Sequence, residues 1–191
     1  MLQPSKPKVL LAITGASGVR YGMRLAEILS EKKLLEAIIV TSAAEKVAEH
    51  EEGIRLRVEL EALAPVYDEH EIDAPYASSS RAVDAMVVAP CSMKTLAAIA
   101  HGFGGNLVTR AALAHLRLRR TLILVIRETP LSLADIENMR FAALMGAVIL
   151  PASPGFYHQP RSVDDMVDFI AGKVLDVLGV GHSLYRRWRS A

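Results

Sequence analysis

Residues 9–18 read Val-Leu-Leu-Ala-Ile-Thr-Gly-Ala-Ser-Gly. Five apolar residues in a row, with no polar alternation, describe a strand covered on both faces, as in a parallel sheet. The run stops at Thr14-Gly15-Ala16-Ser17-Gly18, and residues 19–29 then repeat apolar positions at helical spacing. A buried strand, a glycine turn and a helix form the opening of a βαβ unit. In such a unit the turn's backbone N–H groups and the helix N-terminus favour a bound anion.

The same unit recurs outward from this stretch. Residues 37–40 form a second buried strand that ends at Thr41-Ser42, with a helix over 43–50. Residues 53–83 are charge-rich and weakly patterned, with a helical stretch at 55–63, a short strand at 65–67 and a loop at 75–81. Residues 85–89 form the central strand, ending in Pro90-Cys91-Ser92 ahead of a helix over 93–100. Asn106 caps a helix over 107–117, residues 121–126 are a strand, and Arg127-Glu128-Thr129-Pro130 follows as a loop. A helix at 135–145, a strand at 147–150, a Pro/Gly/Ser loop at 151–160 and a helix at 164–178 complete the pattern. The expected fold class is α/β: a doubly wound, mostly parallel, Rossmann-like or flavodoxin-like sheet with helices on both faces. One domain over 1–191 is expected, with 1–7 disordered and 180–191 a tail packing near the active site or a neighbouring subunit.

Composition narrows the function. Hydrophobic residues make up 51% of 191 residues and the net charge is +1, which argues against a nucleic-acid binder driven by counterion release. The lone cysteine, Cys91, excludes an intrachain disulfide and reads as a small buried residue, so a cytoplasmic setting is expected. No apolar run is long enough to span a bilayer, and residues 1–7 hold no signal-peptide core, so no membrane association is expected. The six histidines are scattered and no cluster has metal-ligand spacing, so no metal is expected.

In doubly wound sheets ligands sit outside the carboxyl ends of the strands, where strand order reverses. The unusual residues fall at those ends. Gly15-Ala16-Ser17-Gly18 lacks the G-x-G-x-x-G spacing, and Thr41-Ser42 stands where an acidic ribose reader would end the second strand. Both features argue against NAD and for a phosphate or ribityl group. Ser92 and Thr95 cap a helix at the central strand's end and suit phosphate. The Arg127-Glu128 pair puts two charges at the ligand rim, for use or for mutual pairing. The 151–160 loop presents Phe156 and Tyr157, and Trp188 sits among arginines; such rings suit a flavin or an allylic cation. Arg110 and Arg117, seven residues apart, share roughly one helix face, a basic stripe that calls for an anion or another chain.

With these motifs in place, the sequence resembles the UbiX-type flavin prenyltransferases over nearly its whole length. The resemblance rests on residues 14–18 with Tyr21-Gly22, on Ala-Pro-Cys-Ser-Met-Lys-Thr-Leu at 89–96, and on Asn106-Leu107 with Arg110-Ala111-Ala112. It continues through Arg-Glu-Thr-Pro-Leu-Ser at 127–132, Glu137-Asn138-Met139 and the 151–160 segment. It implies a homo-oligomer, trimers packed into dodecamers, that joins a dimethylallyl group from dimethylallyl phosphate to N5 and C6 of reduced FMN. The product would serve UbiD-type decarboxylases. It further implies that Gly15, Ala16, Ser17, Thr41, Ser92, Met93, Lys94, Thr95 and Arg127 line the FMN site. Tyr157, Lys173, Arg110 and Arg117 would bind the donor, partly across a subunit interface. Ser17, Glu51, Glu128 and Trp188 would be catalytic, with Glu52 adjacent to Glu51 as the competing carboxylate. Where the family usually has Ala-Ser-Gly-Ser, this chain has Ala77-Ser78-Ser79-Ser80, which adds a Cβ at Ser79. Two other readings stand beside this one: an FMN-dependent cysteine decarboxylase, disfavoured because no histidine lies near 15–18 or 90–95, and a non-enzymatic FMN carrier.

Overall fold

The computed structural model describes residues 7–189; the expected disorder at 1–7 lies, apart from Pro7, outside those residues, as do the last two positions of the expected C-terminal tail. The chain alternates β1 (Val9–Ile13), α1 (Val19–Glu31), β2 (Leu35–Val40), α2 (Ser42–Glu52), α3 (Leu56–Glu61) and β3 (Val66–Asp68). It continues with β4 (Ala85–Cys91), α4 (Met93–Ala100), α5 (Leu107–Arg117), β5 (Thr121–Ile126), α6 (Leu133–Leu144), β6 (Val148–Pro151) and α7 (Val163–Val177). All neighbouring strands pair in parallel, in the order β3-β2-β1-β4-β5-β6. This is the Rossmann strand order, and its reversal falls between β1 and β4.

The apolar strand runs divide by parity. Val9, Leu11 and Ile13 of β1 join a core beneath α1, α2, α3 and α7, while Leu10 and Ala12 join a second core beneath α4, α5 and α6. Burial on both sides explains why β1, β4 and most of β5 carry no alternation. Gly22 is fixed by proximity: a Cβ there would meet the Ala89 carbonyl oxygen at 2.3 Å, so α1 lies directly on β4.

Several boundaries differ from the sequence reading. β4 continues through Pro90 to Cys91, because the pairing with β5 shifts between Val88 and Cys91 and accommodates a residue with no N–H. α2 runs on to Glu52, two residues past its expected end, and stops where Gly53 takes up the left-handed conformation at φ 68°. α6 begins at Leu133, two residues earlier than expected, because Ser132 and Asp135 close a capping box. Ser79 opens a short 3-10 turn, Ser79–Arg81, capped by Ser78 and without a positive φ, so its Cβ causes no backbone strain.

His115 on α5 is 1% exposed and hydrogen-bonds the Ala111 carbonyl through Nδ1 at 2.8 Å. Burial lowers its pKa from 6.5, and the Arg120 guanidinium lowers it further, against the opposing pull of the Ala111 and Val83 backbone. A histidine whose folded pKa is depressed is refused its proton on folding, so stability falls as pH drops below 6.5, where the unfolded chain binds the proton. The slope of unfolding free energy against pH below that point is expected to flatten in His115→Gln; denaturant titrations across the pH series measure it.

Candidate functional site

Thr14, only 1% exposed, joins the two strand ends at the reversal point. Its hydroxyl donates to the Pro90 carbonyl at 2.8 Å and accepts from the Ser92 N–H at 2.8 Å. The loop after β1 and the loop after β4 therefore move as one piece. Thr41, after β2, is held alongside by its N–H bond to the Ile13 carbonyl, and its side chain caps α2 by accepting from Ala44. Ser92 caps α4 by accepting from the Thr95 N–H, and it also donates to the Thr95 hydroxyl at 3.1 Å. Met93 and Lys94 then occupy the first turn of α4, where backbone N–H groups lack intrahelical acceptors. Gly15, Ala16, Ser17, Thr41, Ser92, Met93, Lys94 and Thr95 thus gather around the carboxyl ends of three adjacent strands.

The anion at the α1 N-terminus belongs to the chain. Glu51 accepts from the Gly18 N–H at 2.8 Å, and it also takes hydrogen bonds from the Ser17 side chain and the Val19 N–H. Burial raises the Glu51 pKa, but these bonds and the Arg127 charge outweigh it and hold the carboxyl below its usual range. Glu52 faces elsewhere, in a two-point ion pair with Arg20 at 3.0 and 2.7 Å. The turn read as an anion cradle is therefore already occupied by a side chain, and the first turn of α4 remains the more open donor set.

Beside Ser17 and Gly18 opens a cleft of about 640 Å³, lined by Tyr21, Arg127 to Leu131, Met139 and the 151–153 segment. Arg127 and Glu128 face each other loosely at 3.6 Å, each more than a third exposed, so pairing does not exhaust either charge. The 151–160 loop runs from this cleft to an aromatic group. Tyr157 stands edge-on to Trp188 and to Phe169, with centroids 5.5 and 5.7 Å apart. Lys173 lies over the Tyr185 ring at 4.9 Å and the Phe169 ring at 5.2 Å. A hydrogen bond with Tyr185 is the largest influence raising its pKa, so it stays an ammonium ion.

Not every expected residue comes together within one chain. Arg110 and Arg117 are exposed on α5, in the layer across the sheet from α7 and its Lys173. Cys91 is fully buried and its thiol pKa is pushed up by burial. The argument that no histidine lies near the 90–95 segment holds only along the sequence: His70 lines a second cleft with Lys94 and Thr95. Glu69 went unread because residues 53–83 carry weak patterning. Its buried carboxylate binds the Ser42 N–H at 2.9 Å and Asn106 Nδ2 at 2.6 Å, tying β3 to α2 and α5. Among the described residues no group of three or more His, Cys, Asp or Glu is placed to hold a metal, and no helix is long and apolar enough to cross a membrane.

Thr14→Val keeps the shape but removes the hydroxyl's bond to the Pro90 carbonyl, which keeps only the Thr14 N–H, and leaves the Ser92 N–H without its acceptor. A loss of about 1–3 kcal/mol in denaturant unfolding is expected; a variant as stable as the parent contradicts the bridging role.

The sequence profile of the flavoprotein family matches residues 2–175. A flavin prenyltransferase UbiX of Methanothermobacter thermautotrophicus is 47% identical over 180 residues, covering 94% of each chain. One of Saccharolobus solfataricus is 45% identical over 185 residues, covering 95% of this chain and 92% of that one. The crystal structure of AnUbiX in complex with FMN and dimethylallyl pyrophosphate superposes with a TM-score of 0.92 at 36% identity, covering 97% of this chain and 99% of that one. A dodecameric FMN-dependent UbiX-like decarboxylase from Escherichia coli O157:H7 gives 0.91 at 38% identity, covering 96% and 100%. The FMN-dependent cysteine decarboxylase TvaF, at 0.62 and 21% identity over 76% and 90%, shares the fold alone.

Proposed function

We propose, from the premise that the chain belongs to the flavoprotein family and within it to the UbiX-type flavin prenyltransferases, that its strand-end cleft binds FMN and that the adjoining aromatic group binds dimethylallyl phosphate. The observation that carries this reading is one loop, 151–160, linking two chemically different walls. Its start lines the cleft with Ser17 and Arg127, and its Tyr157 joins Trp188 near Lys173. A pure FMN carrier has no use for the second wall, and a cysteine decarboxylase is supported at the level of fold only.

The residues fit a flavin phosphate. The first-turn donors of α4, with Ser92 and Thr95, suit the phosphate, while Gly15, Ala16, Ser17, Thr41, Met93, Lys94 and Arg127 frame the rest. The cleft volume of about 640 Å³ is in the range of small-molecule sites. When bound and reduced, FMN supplies N5 and C6 as the nucleophilic positions for the dimethylallyl group. Lys173 and Tyr157 hold the donor's phosphate, which leaves with the electron pair of the broken C–O bond. The rings of Tyr157 and Trp188 face the allylic cation that remains. Glu51, kept charged by Ser17 and the backbone of Gly18, takes the proton displaced from C6. Glu128 balances Arg127 at the cleft rim.

Arg110 and Arg117 reach a donor site only from another copy of the chain, which makes the oligomer part of the proposal. α6 supports it: Ala142 is its one buried residue, while Leu133 and Leu144 are 75% and 71% exposed. A dodecamer, a cytoplasmic setting and a UbiD-type decarboxylase as recipient of the product complete the reading.

After incubation with reduced FMN and dimethylallyl phosphate, the released flavin is expected to gain the mass of one dimethylallyl unit. Unchanged flavin overturns the proposal. Glu51→Gln is expected to retain FMN and lose roughly 10²–10⁴-fold in kcat, whereas Glu52→Gln, which touches only the Arg20 pair, turns over like the parent.

A further inference from the structure

The last turn of α7 carries a carboxylate whose four partners all belong to, or lead to, the proposed donor wall. Asp176 Oδ2 accepts from the Tyr185 hydroxyl at 2.6 Å and lies 3.9 Å from Lys173 Nζ. Asp176 Oδ1 accepts from Arg187 at 2.7 Å and sits 3.1 Å from His182 Nε2. Burial raises the pKa of this carboxyl, but the bonds from Tyr185, Arg187 and His182 outweigh it and hold it at about 2. It is therefore a permanent negative charge at neutral pH.

The chain beyond α7 has no strand or helix of its own within the described residues, so side chains decide where it lies. Gly172 supplies the bed: a Cβ there would meet the Tyr185 ring at 2.5 Å and the His182 ring at 2.7 Å. Asp176 supplies the clamp, at His182, Tyr185 and Arg187. Trp188 follows Arg187 directly, stands 67% exposed and touches Tyr157 edge-on at 5.5 Å. Arg186 adds a bond to the Tyr157 carbonyl at 3.4 Å. Tyr185 meanwhile stands between two charges, its hydroxyl donating a hydrogen bond to Asp176 and accepting one from Lys173.

We propose that Asp176 is a positioning residue for the donor half of the site: through Tyr185 it aims the Lys173 ammonium, and through His182 and Arg187 it holds the segment that presses Trp188 against Tyr157. The inference rests on the reading of Lys173, Tyr157 and Trp188 as the donor wall. Its division of labour is specific. Removing the carboxylate frees both Lys173 and Trp188. Removing only the Tyr185 hydroxyl takes from Lys173 the hydrogen bond that aims it, leaving the looser 3.9 Å pair with Asp176, and leaves the Arg187 and His182 anchors in place.

Trp188 is the one tryptophan of the chain, so intrinsic fluorescence reports its mobility without a label. The test uses the assembled, FMN-loaded protein with Asp176→Ala, Asp176→Asn, Tyr185→Phe and Lys173→Ala, reading Trp188 anisotropy, FMN Kd and steady-state KM for dimethylallyl phosphate. Asp176→Ala is expected to lower the anisotropy and raise donor KM about tenfold to a hundredfold, the ratio set by losing a charge-assisted hydrogen bond. FMN Kd should stay at the parental value. Tyr185→Phe should raise donor KM with anisotropy unchanged, and it keeps the test decisive if Asp176→Ala does not fold. If Lys173→Ala raises donor KM while Asp176→Ala, Asp176→Asn and Tyr185→Phe leave it parental, Asp176 is a structural clasp only and the proposal is overturned. If Lys173→Ala itself leaves donor KM unchanged, the donor-wall reading fails and takes this inference with it.

Discussion

The Thr14 hydroxyl, at the end of β1, donates to the Pro90 carbonyl and accepts from the Ser92 N–H, both at the end of β4. The relation between the turns that follow β1 and β4 depends on that bridge. Strand order reverses at this gap, so α1 and α4 leave on opposite faces, and the Thr14 N–H bond to the Pro90 carbonyl at 3.3 Å is supplemented there by the side-chain bridge. A buried hydroxyl with both hydrogen-bond roles fulfilled links them at little cost, whereas either partner left alone would carry a desolvation penalty. With the strand ends joined, the Ser17 turn lines one cleft and Lys94 and Thr95 of α4 line another, both beyond the carboxyl ends of the strands.

Around those strand ends the chain uses its own carboxylates to set the charge and the aim of other groups. Glu51 fills the α1 N-terminus and draws Ser17 toward it. Glu69 ties α2 and α5 to the end of β3. Asp176 does the same for the C-terminal segment. Each is held by more than one hydrogen bond, and the geometry that fixes the acid also fixes the donors around it. Glu52, one residue from Glu51, shows the contrast: it spends both oxygens on the exposed Arg20, an arrangement that contributes little to stability.

A single chain leaves this design open on one side. The apolar α6 surface and the outward arginines of α5 lie in the layer opposite α7, far from the aromatic wall they would complement. Under the proposed function, the apolar exposure of α6 is the surface through which copies of the chain associate. In the proposed function the site and the assembly are one problem, because Arg110 and Arg117, assigned to the donor, are turned outward in a lone chain.

The parallel sheet, its strand ends and the family resemblance were all legible in the amino-acid order. Uninterrupted apolar runs of strand length, glycine turns and capping residues are local signals, and burial on both faces writes them directly into composition. Ser17, Thr41, Ser92 and Arg127 were legible just after strands, since the break in each apolar run marks where a loop begins. The sequence did not reveal that Glu51 rather than a ligand fills the α1 N-terminus, that His70 shares a cleft with Lys94, or that Glu69 and Asp176 organise the loops around them. Those relations join residues 24 to 37 positions apart, or sort four partners onto the two oxygens of one carboxylate. Only the tertiary structure decided them, because hydrogen bonding is directional and short-ranged: which acid meets which donor depends on the path of helices across the sheet, and no local pattern records that path.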